Sequence, residues 1–400
     1  MSILIDTRLN KFQLPVTVKF DKDYYTELNN LLEKYYEHIS NISNLPSETI
    51  KRTLSNIKYI RESLEHYSKA DISAAKECIK NIIRDYINDP YIVSELDKNY
   101  AFRGIAPLKM QQKKFGYDVA YSETYEKMNV KELSFFKARV SIDSIKRKDM
   151  LHIPFDKRGL ISTQRFSMAG IPCMYLSTTT LGCWLEMEMP ELELFYVSSY
   201  KLPTNLKVLN LCISQHTING STGGGYVENY EIEHVCSLIE IFPLVCATSL
   251  RVLEKDRSFK SEYIISQILM QAVNELNIDS VAYLSKKMSD YYAYPQTVNI
   301  AIPIKSNNIP PFNENSMEVY WDKAKEIKLS DAFNYGEYIN KRLYSNYQHI
   351  APFNSYVNEI YHDSKESNKI MFAGSICNYT ETSFSKFDEY LTKQIHHKFE

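Results

Sequence analysis

The sequence predicts an α+β chain: a mixed sheet with flanking helices, preceded by an all-α N-terminal domain. Three observations predict it. Residues 21–86 carry apolar side chains at helical spacing. Residues 171–177, 206–211, 278–285 and 298–303 form short apolar runs of strand length. Helix-patterned segments after residue 178 and over 260–275 lie between those runs. The division that follows is a helical domain over 1–125, a mixed domain over 126–335, and a C-terminal tail or extension over 336–400.

Residues 1–20 are too short and mixed to assign. From Asp21, the residues Tyr25, Leu28, Leu32, Tyr35 and Ile39 recur on one helical face until Asn44, Leu45 and Pro46 interrupt. Ser47 has the chemistry of a cap for a second helix striped by Ile50, Leu54, Ile57, Tyr59 and Leu64. Ser73 opens a third, lined by Ile79, Ile82, Ile83 and Tyr86, and Pro90 closes it. Such stripes serve packing first and partner binding second. Residues 98–130 read as a connecting segment.

Residues 133–141 read as a strand, with Phe135, Lys137 and Arg139 on one face. After Arg165, Gly170 and Pro172 make a turn, 171–177 a buried strand, and Thr178 to Thr180 supply hydroxyls for a helix that Pro190 ends. Glu186 on that helix shares its face with the small residues Gly182 and Cys183, so a ligand could approach its carboxylate closely. Leu181, Trp184, Leu185 and Glu188 occupy the other face. Two further strands fall at 192–197 and 206–211. The glycine-rich 216–225 lacks the Lys-Ser/Thr pair of a phosphate loop and reads as a flexible excursion. The helix over 260–275 turns Tyr263, Ile264, Ile268, Leu269 and Val273 inward. Residues 307–315 are loop-like, 319–329 add a last strand or short helix, and the remainder is rich in Tyr, Asn and Ser. His396 and His397 lack further metal ligands nearby.

Composition narrows the function classes. A formal net charge of −2 gives no electrostatic case for nucleic acid or an anionic membrane. The absence of any apolar run of about eighteen residues, and of a signal-peptide core, leads to a cytoplasmic expectation. Seven scattered cysteines without C-x-x-C spacing are expected as reduced core thiols.

Arg165-Phe166, Gly170-x-Pro172, Tyr175-Leu176 and Glu186 in the following helix together resemble the RES domain family, named for arginine, glutamate and serine. The strand 278–285, ending in Tyr283-x-Ser285, resembles the family's Y-x-S strand, and Asn299 resembles the asparagine of its closing strand. Residues 242–252 and 259–273 resemble the linking strand and helix of longer members. The resemblance covers about residues 133–335. Family members open with aromatic-R-x-R, whereas Phe136 is followed here by Lys137, Ala138 and Arg139; lysine carries the charge without the planar fork.

The resemblance implies an ADP-ribosyltransferase-like fold holding nicotinamide adenine dinucleotide (NAD) as substrate, with no metal. It implies cleavage of the nicotinamide–ribose bond, with water or phosphate as acceptor, by a toxin or defence effector. Glu186 would stabilise positive charge developing on the ribose, Arg165 and Arg139 would neutralise the diphosphate with help from Lys137, and Tyr175 would wall the nicotinamide and offer its hydroxyl to the ribose. Ser285 and Asn299 complete the set. Partners implied are NAD and an antitoxin or regulatory protein, with a homodimer also compatible, and neither nucleic acid nor membrane. The N-terminal helices are expected to occlude the cleft or recruit an inhibitor. Two alternatives accompany this reading: transfer of ADP-ribose to a protein, and a degenerate NAD-binding module suggested by Lys137. Glu186-x-Glu188 resembles the E-x-E of arginine-directed transferases, but on a helix positions two apart lie about 200° apart, which turns Glu188 away.

Overall fold

The computed structural model describes residues 14–42, 45–103, 132–213, 218, 232–254, 256–287, 297–305, 326–343 and 382–398. The glycine-rich 216–225, apart from Ile218, the loop 307–315 and most of 98–130 lie outside the described residues.

The chain opens with strand β1 (Val16–Val18) and helices α1 (Tyr24–Ser40), α2 (Ser47–Ser68) and α3 (Ile72–Arg84). The third helix is capped by Asp71, whose side chain accepts from the Ala74 amide, so its start lies before the Ser73 that spacing suggested. Strand β2 (Val93–Glu95) and the short α4 (Tyr100–Arg103) follow. Then come β3 (Phe135–Val140), β4 (Cys173–Ser177), α5 (Thr180–Glu186), β5 (Phe195–Lys201) and β6 (Lys207–Leu211). Helix α6 (Ile232–Ala247), β7 (Leu250–Val252), α7 (Ile264–Glu275), β8 (Ser280–Leu284) and β9 (Val298–Pro303) complete the middle of the chain. The last elements are β10 (Lys328–Leu329), β11 (Phe333–Asn334), α8 (Tyr335–Leu343), α9 (Ser383–Thr392) and β12 (His397–Lys398).

The architecture is mixed α/β. A ten-stranded sheet runs β12-β10-β5-β3-β4-β9-β8-β6-β2, with β11 also on β5, while β1 and β7 pair separately and in parallel. Within the large sheet β6 and β8 are parallel and the other described pairs antiparallel. Strand alternation sends Val281 and Ala301 to one hydrophobic core, shared with α1, α2, α3, α6 and α7. It sends Ala282, Leu284, Ile300 and Ile302 to a second core, shared with α5, α8 and α9.

The N-terminal helices therefore pack directly on the sheet domain. Tyr35 Oη donates to Ile239 O at 2.7 Å, and Asn56 Nδ2 to Glu240 O at 2.8 Å. The C-terminal residues are equally built in. Phe384 stacks on Tyr335 with ring centroids 4.9 Å apart, and the Asp388 carboxylate accepts the Thr180 amide at 2.9 Å at the start of α5. The tail's weak helical pattern hid this because its apolar residues meet partners distant in sequence.

One irregularity matters for function. Strand β3 pairs with β5 over six residues, yet meets β4 at the single pair Phe136↔Ser177. Lys137 to Arg139 on one strand and Cys173, Tyr175, Leu176 and Ser177 on the other supply lining for the same cavity.

Candidate functional site

Helix α5 presents Glu186 at its last residue. Thr179 Oγ1 accepts the Gly182 amide at 2.9 Å and fixes the helix start. Gly182 itself serves packing: a Cβ there would lie 2.1 Å from Ser177 Oγ, so its small size is required by β4 rather than by ligand access. Buried Leu181, Trp184 and Leu185 anchor the helix in the second core.

The carboxylate of Glu186 is held by two donors. Ser285 Oγ, just past the end of β8, and Asn299 Nδ2 on β9 each donate to Oε1 at 2.7 Å. Among the described residues Oε2 takes no hydrogen bond. Register explains the meeting, since Asn299 lies directly opposite Ser177 on β4 and Tyr283 on β8, and opposed residues share a face. Asn299 Oδ1 is buried with no partner among the described residues.

Arg165 lies across the same cavity. Its guanidinium donates to Thr248 O at 3.0 Å and Leu250 O at 2.6 Å, and its Cζ sits 4.8 Å from the ring centroid of Tyr263. Tyr175 Oη donates to Phe166 O at 2.7 Å, so this phenol braces the loop that carries Arg165 and keeps only acceptor capacity for a ribose. Arg251 is 8 % exposed, and burial together with Arg165 pushes it down to about 10 against the pull of Glu186.

A second cationic pair sits on β3. Lys137 Nζ and Arg139 Nη2 both donate to Leu151 O, at 2.7 and 3.4 Å, and Arg139 Nε is buried with no partner among the described residues. Burial, reinforced by Arg139, pushes Lys137 down to about 7. Burial also lowers His152, which lies close enough to feel Lys137.

Glu186, Asn299, Arg165, Tyr175, Arg251, Lys137 and Arg139 share one cavity of about 570 Å³. Its lining includes Lys137, Arg139, Arg165, Arg251, Lys260, Lys286 and Lys287, against the acids Glu186 and Glu188. Like charges crowded on partly buried walls repel one another, and an anion relieves that repulsion. The cavity is thus chemically suited to a polyanion beside one held carboxylate. Among the described residues no group of three or more His, Cys, Asp or Glu could hold a metal ion.

Arg165, Tyr175, Glu186, Lys137, Arg139 and Asn299 all line this cavity, and Ser285 stands behind Glu186 at 1 % exposure without lining it. No described residue before Lys137 lines it, so helices α1 to α4 stand outside its lining, while residues 104–131 lie outside the described residues. Glu188 differs from expectation. The helix stops at Glu186, and Glu188 and Met189 take left-handed φ values of 67° and 55°, so the 200° argument fails; Glu188 joins the cavity and ion-pairs with Lys287.

Sequence reasoning missed Arg251, Lys260, Lys286 and Lys287 and assigned Tyr263 to the core alone. Two signals were present: Arg251 stands among Leu250, Val252 and Leu253, and Lys286-Lys287 directly follow Ser285.

Comparison of the sequence with known proteins finds a relative over part of the chain. The chain is 32% identical over 204 residues to a protein of Bacillus subtilis (strain 168) described as "Putative toxin YopC", a match covering 45% of this chain and 46% of that protein. The chain thus aligns with about half the length of the curated relative. No family model matches. No solved structure matches.

Proposed function

We propose that the chain is an NAD-consuming enzyme of RES type, with an ADP-ribosyltransferase-like sheet, that cleaves the nicotinamide–ribose bond and passes ADP-ribose to water or phosphate. The observation that carries this reading is the Glu186 carboxylate, fixed by Ser285 and Asn299, in a cavity otherwise lined by basic groups. The divergence of β3 from β4 supports the fold component, because it opens a cleft in the sheet for a dinucleotide.

The chemistry follows from charge. Loss of nicotinamide leaves positive charge on the ribose, and an anchored carboxylate stabilises that transition state more than the ground state. Glu186 Oε2 is the atom available to a ribose hydroxyl or the incoming nucleophile. Arg165, Arg139 and Lys137 balance the diphosphate, and Ser285 acts as a positioning residue through Glu186. A toxin role is supported by the description of the Bacillus relative.

Incubating the full chain with NAD should release nicotinamide, and Glu186→Ala should lower the rate by about 10²–10³ while leaving the thermal midpoint unchanged. A fully active Glu186→Ala variant sinks the assignment. Mass spectrometry of products with and without phosphate identifies the acceptor. Transfer to a protein is a second reading, favoured by Glu188 lining the same cavity as Glu186; it predicts labelled ADP-ribose on a macromolecule rather than free product.

A further inference from the structure

Residues 14–24 run behind the cationic wall without lining the cavity. Strand β1 pairs in parallel with β7, which carries Arg251 and whose Leu250 carbonyl accepts from Arg165. Three residues after β1, the Asp21 carboxylate accepts from the Ser261 amide at 3.3 Å and its hydroxyl at 2.5 Å, and also pairs with Arg257.

Arg257 continues the chain of contacts. Its Nη2 donates to both carboxylate oxygens of Glu262, at 2.7 and 3.0 Å, and its carbonyl accepts Lys260 Nζ at 2.8 Å. Glu262 is 0 % exposed, and the next residue, Tyr263, is the ring under Arg165. Leaving a buried carboxylate without its partner is costly, so the position of the 257–263 segment depends on these contacts.

We propose that Asp21, through Ser261 and Arg257, is a positioning residue for the anion-binding wall formed by Arg165, Tyr263 and Lys260, which makes the N-terminal strap part of the ligand site. The inference rests on the proposed reading only in taking the ligand to be a phosphate-bearing anion. It gives residues 14–24 a supporting task at the site.

Arg257→Ala would strand Glu262 without its partner and is expected to unfold the segment, so the informative variant is Asp21→Ala, which leaves that buried pair intact. Calorimetry with inorganic pyrophosphate on the full chain should show affinity falling about tenfold, the range of a lost charge-assisted hydrogen bond. The KM for NAD should rise in parallel with kcat held within about twofold, and Asp21→Glu, which keeps the charge, should recover most of the affinity. Unchanged pyrophosphate affinity overturns the inference, as does a wild-type chain that binds no pyrophosphate, or a loss of binding that appears only together with a collapsed thermal midpoint. Weaker pyrophosphate binding in Asp21→Ala alongside a wild-type chain that releases no nicotinamide leaves the inference standing and removes the NAD-cleaving reading instead.

Discussion

At Lys137 two consequences of one proton pull in opposite directions. Burial and Arg139 lower this ammonium from its ordinary 10.5 to about 7. An unfolded chain therefore binds more protons at this position between those values, so the contribution of Lys137 to folding stability rises with pH across that interval. Below about 7 the charged amine destabilises the fold in full, and Lys137→Met should stabilise it there by of order 1–3 kcal/mol. Anion binding, on the NAD-cleaving reading, needs the ammonium, so affinity for NAD should fall as pH rises through about 7. Lys137→Arg, whose guanidinium stays protonated, should flatten that fall. Denaturant melts and NAD titrations from about pH 6 to about pH 9 read both trends; an affinity that is level in the wild-type chain across this range removes the proposed role. The residue type and its strand were legible in the sequence, as were Arg165, Tyr175, Glu186 and Ser285 in order. What each side chain bonds was not, because the acceptors of Arg165 are carbonyls about eighty residues further on, at Thr248 and Leu250.

Helix α5 is constrained at both ends of its contacts, because it must bring Glu186 both to Ser285 just past β8 and to Asn299 on β9. Its N-terminal cap and short length were readable from Thr178 to Thr180 and Pro190, whereas its exit was not: spacing cannot foresee the left-handed backbone of Glu188 and Met189. Glycine at 182 was readable as small but not for the right reason. A Cβ at that position would sit 2.1 Å from Ser177 Oγ and 3.1 Å from Ser177 Cβ, inside a strand that pairs directly with the one bearing Asn299. Gly182→Ala must therefore push α5 from β4 or turn Ser177 aside, at a cost of about 1–3 kcal/mol. Any shift of the helix lengthens the bonds from Ser285 and Asn299 to Glu186, so nicotinamide release should fall along with the urea midpoint. Retention of both would mean the helix rides freely over the strand. Strand β10 falls at the end of the 319–329 stretch read as a strand or short helix, whereas β11 and β12 escaped sequence reading for a different cause, since two-residue strands carry no period to detect.

On the scale of the whole molecule, the boundaries drawn near residues 125 and 335 mark changes in sequence pattern, and the physical question is whether any part can unfold alone. Leu31, Leu32, Tyr35, Ile57, Ile60, Ile79 and Ile82 are buried in the same core as Leu209, Val281 and Ala301 of the sheet. Full burial of each large apolar side chain contributes about 1.5–3 kcal/mol, and a domain's net stability is only about 5–15 kcal/mol. Peeling the N-terminal helices away would thus expose one face of the sheet at a cost comparable to its entire stability. The C-terminal residues impose the same constraint on the other face through Phe384, Phe387 and Leu391. Scanning calorimetry of the full chain should accordingly show one cooperative transition, with calorimetric and van't Hoff enthalpies in agreement. Two resolved transitions, the first removing helical signal alone, would show instead that the helices form a separate folding unit, and the strap at Asp21 would then be a contact between two units rather than a seam within one.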